Sequence, residues 1–171
     1  FSFPRISATR PVYLYTMAEL NLFIAEAELR YNNNNAAAKA AYEAGIDASL
    51  ALHGITTPGS ELYGTGEAFE FDGTHKQIMM QKWAALALVN NIEAWFEIKR
   101  TEFPSVSSAS AMDIAGDPSL YSNGDRIHNY ENNLGSNTWL TRFYYPDEAI
   151  SNNGNAPTQV TLTDKVWWDQ N

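Results

Sequence analysis

The 171-residue chain contains no cysteine, which removes disulfides, thiolate metal sites and cysteine nucleophiles from its chemistry without fixing a compartment. No apolar run approaches the roughly 20 residues of a membrane-spanning helix, because charged or amide residues interrupt every hydrophobic stretch. Basic residues are few, 11 against 20 acidic ones, for a formal charge of −9. That balance repels phosphate backbones and anionic lipid surfaces, so nucleic acid is not an expected partner. Histidine is sparse: His53, His75 and His128 are scattered with no i, i+4 pair, a spacing that speaks against zinc. Serine nucleophiles lack a Gly-x-Ser-x-Gly elbow. The sequence begins at Phe1-Ser2-Phe3-Pro4 with no initiator Met, basic n-region or apolar h-region, so the chain reads as a mature product or a fragment.

What remains is an ordinary hydrophobic share of 44% and a 13% aromatic content with five Trp and nine Tyr, enough for a globular core. Asn is frequent and Lys scarce. Tyr, Trp and Asn suit neutral polyhydroxyl ligands, whose C–H faces stack on rings and whose hydroxyls pair with amides, although large aromatics also fill cores.

The first helix is expected to start at Met17. Thr16 and Glu19 have capping-box spacing, with Tyr15 and Leu20 placed as a hydrophobic staple. Met17, Leu20, Phe23, Ile24, Ala27 and Tyr31 recur at helical spacing and predict the buried stripe, with Glu19, Glu26, Glu28 and Arg30 on the other side. The Asn32 to Asn35 run ends this helix, Asn35 caps a second that Ala36 opens, and Gly54 stops it after His53. Alanines at 37, 40, 41, 44, 48 and 51 predict close approach to a neighbour. The pair forms a helical hairpin over about 16–54, near the ~34 residues of a tetratricopeptide unit. One hairpin cannot bury both faces, so other helices must cover it.

Residues 56–73 carry turn signals and read as a structured loop. Thr74 and Gln77 repeat the capping-box spacing before a helix to about Val89, whose predicted face is Ile78, Met79, Trp83, Leu86, Ala87 and Asn90. Asn90-Asn91 bends the chain into a short helix with Ile92, Trp95, Phe96 and Ile98 on its apolar face, ending at Lys99-Arg100, where cations favour the helix dipole. Residues 104–138 lack periodicity and read as a long loop. Alternation from Trp139 to Tyr145 predicts a short strand halted by Pro146.

Four segments, in order along nearly the whole chain, resemble the SusD/RagB family. They are Arg10-Pro11 with Tyr15-Thr16-Met17-Ala18-Glu19 and Ala25-Glu26-Ala27; Tyr42-Glu43-Ala44-Gly45-Ile46 with Ala48-Ser49; Ile78, Gln81-Lys82-Trp83, Ala85-Leu86, Glu93-Ala94-Trp95, Lys99-Arg100-Thr101 and Phe103-Pro104; and Arg142-Phe143, Tyr145-Pro146, Glu148, Asn152-Asn153 and Val166-Trp167-Trp168-Asp169. Glu102 departs from the family's usual Gly before the aromatic-Pro pair, and Tyr144 from a frequent Pro. Residues 105–138 match nothing specific.

The resemblance implies a mainly α, tetratricopeptide-like helical-repeat (SusD-like) fold with long loops and little β. Residues 1–171 would be its C-terminal part: the hairpin about 16–54, helices about 75–100 and a loop-rich tail 101–171. The implied protein is an outward-facing outer-membrane lipoprotein, anchored through an N-terminal Cys outside this chain. It would bind oligosaccharide or polysaccharide as the partner of a SusC-like TonB-dependent channel, with the upstream N-terminal part of the same protein as a further partner. No reaction, cofactor or metal is implied. The alternatives are a helical-repeat scaffold that only docks on the channel or, least supported, a glycan-active enzyme.

For sugar stacking, Tyr63, Tyr121, Tyr130 and Trp139 are the candidates, each in or beside a Gly/Asn-rich loop. Such rings also anchor loops to a core. Glu93 and Glu97 have the spacing of a glycosidase carboxylate pair, but Lys82 and Arg100 offer them ion-pair roles. Asp113, Asp117, Asn123 and Asp125 could offer oxygens to calcium without EF-hand spacing. Trp83 and Trp95 are expected in the core, and Trp167-Trp168 is expected to dock the tail.

Overall fold

Thr16 caps the first described helix: its backbone is extended and its Oγ1 accepts the Glu19 N–H at 3.1 Å, starting α1 at Met17–Arg30. The computed structural model describes residues 9–121, 126–128, 134 and 140–167, and the chain divides into two units, residues 1–98 and 99–171. Among the described residues it is mainly helical, with seven helices and one two-stranded sheet, in agreement with the expected class. No described helix is long and apolar enough to cross a membrane.

In the first unit, α1 packs on α2, Asn35–Leu52. Asn34, one residue earlier than expected, caps α2 through Oδ1 to the Ala37 N–H. The C-terminus closes as a Schellman motif: Gly54 at φ +68° donates to Ala51 C=O and Ile55 to Leu50 C=O. Close approach to α1 is seen at Gly45, where a Cβ would lie 2.7 Å from Leu22 Cγ, while Ala40 and Ala51 of the alanine row are exposed.

The buried face of α1 differs from the predicted stripe. Ala18, Glu19, Leu22, Ala25 and Glu26 are buried, while Met17, Ile24 and Tyr31 are exposed. The cause is chemical. Two carboxylates sit on the inner face because cations meet them there, so the hydrophobic pattern points away from the true interior. Tyr15 stacks on Phe23, centroids 6.4 Å apart.

α3, Ser60–Tyr63, is a single turn inside the 56–73 segment. That segment is tied down by Tyr42, which is fully buried, donates to Phe69 C=O at 3.0 Å and packs against Phe71. α4, His75–Leu86, is capped by Thr74, and it ends three residues before Val89. Gln77 does not return to the cap; it bonds Asp72 N–H and Glu70 C=O and so fastens the loop. Leu88 sits at φ +60° with its N–H on Asn91 Oδ1, and Asn90 Oδ1 accepts from Glu93 N–H. These two amides break the helix and start α5, Asn91–Thr101. On α5, Ala94, Glu97 and Ile98 are buried, whereas Ile92, Trp95 and Phe96, predicted as its apolar face, are exposed.

The second unit begins at the C-terminus of α5. Glu102, where the resemblance has Gly, has φ +60°, the left-handed C′ geometry that favours glycine. The 104–138 stretch, expected as a loop, contains β1, Val106–Ser110, paired in parallel with β2, Arg126–His128. Between them lie α6, Ala111–Gly116, and a 3-10 turn, Pro118–Leu120. Periodicity missed them because each is only a few residues long and is started by a local cap, Ser110 with Asp113 and then Asp117 with Ser119. The predicted strand before Pro146 does not form over 140–146, which carries no strand ladder; Trp139 lies outside the described residues. α7, Asp147–Ser151, follows.

Candidate functional site

The 140–146 segment is held by side chains in place of a strand partner. Thr141 donates its N–H to Leu162 C=O at 2.9 Å, and its hydroxyl lies 3.0 Å from both Leu162 and Asp164 carbonyl oxygens. Four residues on, Gln159 imitates a backbone: its Oε1 accepts the Tyr145 N–H at 2.9 Å and its Nε2 donates to Tyr145 C=O at 3.0 Å. The return limb is closed by Asp164, which accepts the Thr161 N–H at 2.7 Å. That bond, with a smaller contribution from Arg142, holds the Asp164 carboxyl below its usual range.

This frame shapes an open cleft of about 460 Å³ lined by Tyr144, Tyr145, Pro146, Asp147 and Gln159. Its volume falls in the lower part of the roughly 300–1,000 Å³ range of small-molecule sites. Tyr144 is 56% exposed. The Arg142 guanidinium lies 5.0 Å from the Tyr145 ring centroid, so a cation–π contact occupies one face of that ring. The lining offers ring faces, one carboxylate and one amide. It can bind a ligand that is both apolar and hydroxylated; the single acid has no second acid or base among the lining residues.

The residues singled out from sequence are placed differently. Tyr63 donates its hydroxyl to Asp47 Oδ2 at 2.9 Å, and its ring lies where a Gly59 Cβ would meet it at 2.7 Å. Burial, and then the Asp47 bond, push its phenol up. Tyr63 therefore anchors the loop to α2, leaving only part of its ring to solvent. Tyr121 is half-buried at the end of the 3-10 turn. Tyr130 and Trp139 lie outside the described residues. Sequence reasoning missed Tyr144, Tyr145 and Gln159; the departure at Tyr144 from the resembling pattern was the available signal.

The carboxylates of the helical unit serve its interior. Glu97 Oε1 lies 3.1 Å from Lys82 Nζ, with the Lys82 side chain fully buried, and that Nζ sits 3.0 Å from the Phe23 centroid. Glu26 Oε1 meets Arg30 Nη1 at 2.9 Å and His75 Nε2 at 3.0 Å. Glu19 Oε2 is buried without a hydrogen-bond partner among the described residues; burial raises its acid, Lys82 opposes this, and Glu93 adds to it. Glu97 is thus committed to a buried ion pair, which weakens a glycosidase reading of Glu93 and Glu97. The Asp113 carboxylate accepts from the Ser110 N–H and hydroxyl in a capping box and Asp117 caps the 3-10 turn, Asn123 and Asp125 lie outside the described residues, and no group of three metal-ligating side chains comes together among the described residues.

With this geometry in hand, comparison with known families gives one finding. A family model for SusD-like proteins, described as starch-binding and associating with the outer membrane, matches residues 2–119, more than half of the chain. The match includes the helical hairpin, α4 and α5, and stops short of the Tyr144–Gln159 cleft. No curated protein matches the chain.

Proposed function

The chain belongs to the SusD-like family of starch-binding proteins that associate with the outer membrane, and we propose that it captures glycan at the outward face of that membrane as the partner of a SusC-like TonB-dependent channel. In this reading a lipid on an upstream Cys anchors the protein, sugar is held by stacking and hydrogen bonds, and no bond in it is broken. The observation that carries the reading is the family match over 2–119. The acidic charge of −9 supports a neutral ligand over an anionic one, and buried Glu97 is already paired with Lys82. Tyr63, Tyr121, Tyr130 and Trp139 remain proposed stacking positions; Tyr63 would use its ring alone, since its hydroxyl is engaged with Asp47.

A second reading, a scaffold that only docks on the channel, draws support from exposed apolar residues on the helical unit: Met17 and Ile24 on α1, Ile92 and Phe96 on α5. Such residues suit a covering surface, supplied by the upstream part of the protein or by the channel. Native gels cast with starch, plant, host or microbial polysaccharide separate the two. Retardation of the full-length protein by a glycan supports capture. Co-purification with the channel with no retardation in any gel would replace it with the scaffold reading.

A further inference from the structure

Resting on the glycan-binding reading, we propose that the cleft formed by Tyr144, Tyr145, Pro146, Asp147 and Gln159 is a subsite for one neutral sugar ring of a longer glycan. Three observations carry it. The cleft has an exposed aromatic platform, because Tyr144 is 56% exposed although the chain around it is firmly pinned by Thr141 and Gln159. An exposed ring on an ordered backbone costs little entropy when it captures a ligand.

The second observation is the polar set beside the ring. Gln159 uses its carbonyl oxygen for Tyr145 N–H and one amide proton for Tyr145 C=O, so its orientation is fixed from both ends. An amide carries two protons, and the second has no partner among the described residues. Asp147, in the same lining, supplies acceptor oxygens. A pyranose needs this combination: a C–H face for the ring, and hydroxyls that both donate and accept.

Charge gives the third. Asp147 lies in the cleft with Glu148 next to it in sequence, and Asp164, which accepts the Thr161 N–H, closes the return limb. Arg142 lies with its guanidinium 5.0 Å from the Tyr145 ring centroid and attracts Asp164, so the described acids beside the cleft outnumber it. A uronate or sulfated sugar would enter against net negative charge. The subsite therefore takes neutral sugars. It lies beyond the residues the family match covers, so it would be a specificity element of this chain.

Full-length protein is titrated with maltoheptaose and with an uncharged-to-anionic pair of the same length, using wild type, Tyr144→Ala and Tyr144→Trp. The expected result is that Tyr144→Ala weakens maltoheptaose binding about tenfold with an unchanged melting temperature, that Tyr144→Trp retains it, and that the uronic-acid oligomer binds more weakly than the neutral one. Wild-type affinity and stoichiometry retained in Tyr144→Ala would overturn the subsite while leaving glycan capture intact. Tighter binding of the uronic-acid oligomer would overturn its neutral specificity. Wild-type protein that binds no neutral glycan of any kind would remove the capture reading and the subsite together.

Discussion

Replacing Glu97 with Gln tests whether the interior of the helical unit is organised around a charge pair. Lys82 Nζ and Glu97 Oε1 are 3.1 Å apart, with side-chain exposures of 0% and 11%. At an effective dielectric of about 20, their attraction is roughly 5 kcal/mol before desolvation is subtracted. Glutamine keeps the shape and removes the charge, which strands the ammonium in a site it cannot leave. Breaking one partner of a buried pair typically costs ~3–5 kcal/mol. Two neighbours soften the loss here: Glu19, which Lys82 already attracts, and the Phe23 ring 3.0 Å from Nζ. We expect about 3 kcal/mol, the lower end of that range. Urea denaturation of full-length wild type, Glu97→Gln and the double variant Lys82→Met/Glu97→Leu provides the readout. The double variant should recover to within about 1 kcal/mol of wild type, since apolar replacements avoid the desolvation that the pair must offset. A loss below about 0.5 kcal/mol for Glu97→Gln, the behaviour of an exposed pair, would refute the reasoning.

Three further outcomes follow from the same structure. Burial raises the folded-state acid of Glu19 above its ordinary 4.5, so the native state binds this proton more tightly than the unfolded chain does. Stability from this group therefore falls as pH rises from 4.5 through the raised value; Glu19→Gln should raise the melting temperature at neutral pH and flatten this part of the profile, and an unchanged profile would count against it. Glu102 at φ +60° holds strain of ~1–2 kcal/mol, so Glu102→Gly should stabilise by about 0.5–1 kcal/mol after the entropy of glycine is deducted; a destabilised variant in urea would mean that its 3.6 Å pair with Lys165 matters more. Gly45→Ala would normally favour a helix by about 1 kcal/mol, yet its Cβ would meet Leu22 Cγ at 2.7 Å. Overpacking of ~1–3 kcal/mol should win, lowering the melting temperature, and Leu22→Ala in the same chain should relieve the clash.

Local signals were legible, and face assignments only in part: Ile78, Met79 and Leu86 of α4 and Ile98 of α5 are buried as expected. Thr16, Thr74 and Gly54 act where short-range chemistry places them, because a cap or a left-handed stop depends on residues three or four apart. Asn34 took the role expected of Asn35, a one-residue ambiguity inside a run of four identical side chains. The buried stripe of α1 failed for a different reason. Glu19 and Glu26 face inward because Lys82, Arg30 and His75 meet them, and a pattern that sorts charge to the outside cannot represent an interior ion network. Lys82 caused the parallel error on α4, where Trp83 was expected on the inner face and the fully buried residue is its charged neighbour. The cleft was hidden by sequence separation. Gln159 pairs with Tyr145 across fourteen positions, and no periodicity announces a side chain that stands in for a strand.

The central claim is that this chain takes part in holding a neutral glycan and leaves it intact. Isothermal titration of the full-length protein against starch and against plant, host and microbial glycans, followed by chromatography of the recovered sugar, tests it most directly. Saturable heat with at least one neutral glycan, and that glycan recovered at its original length, is the predicted result. Silence across the whole set, or shortened products after incubation, would contradict it.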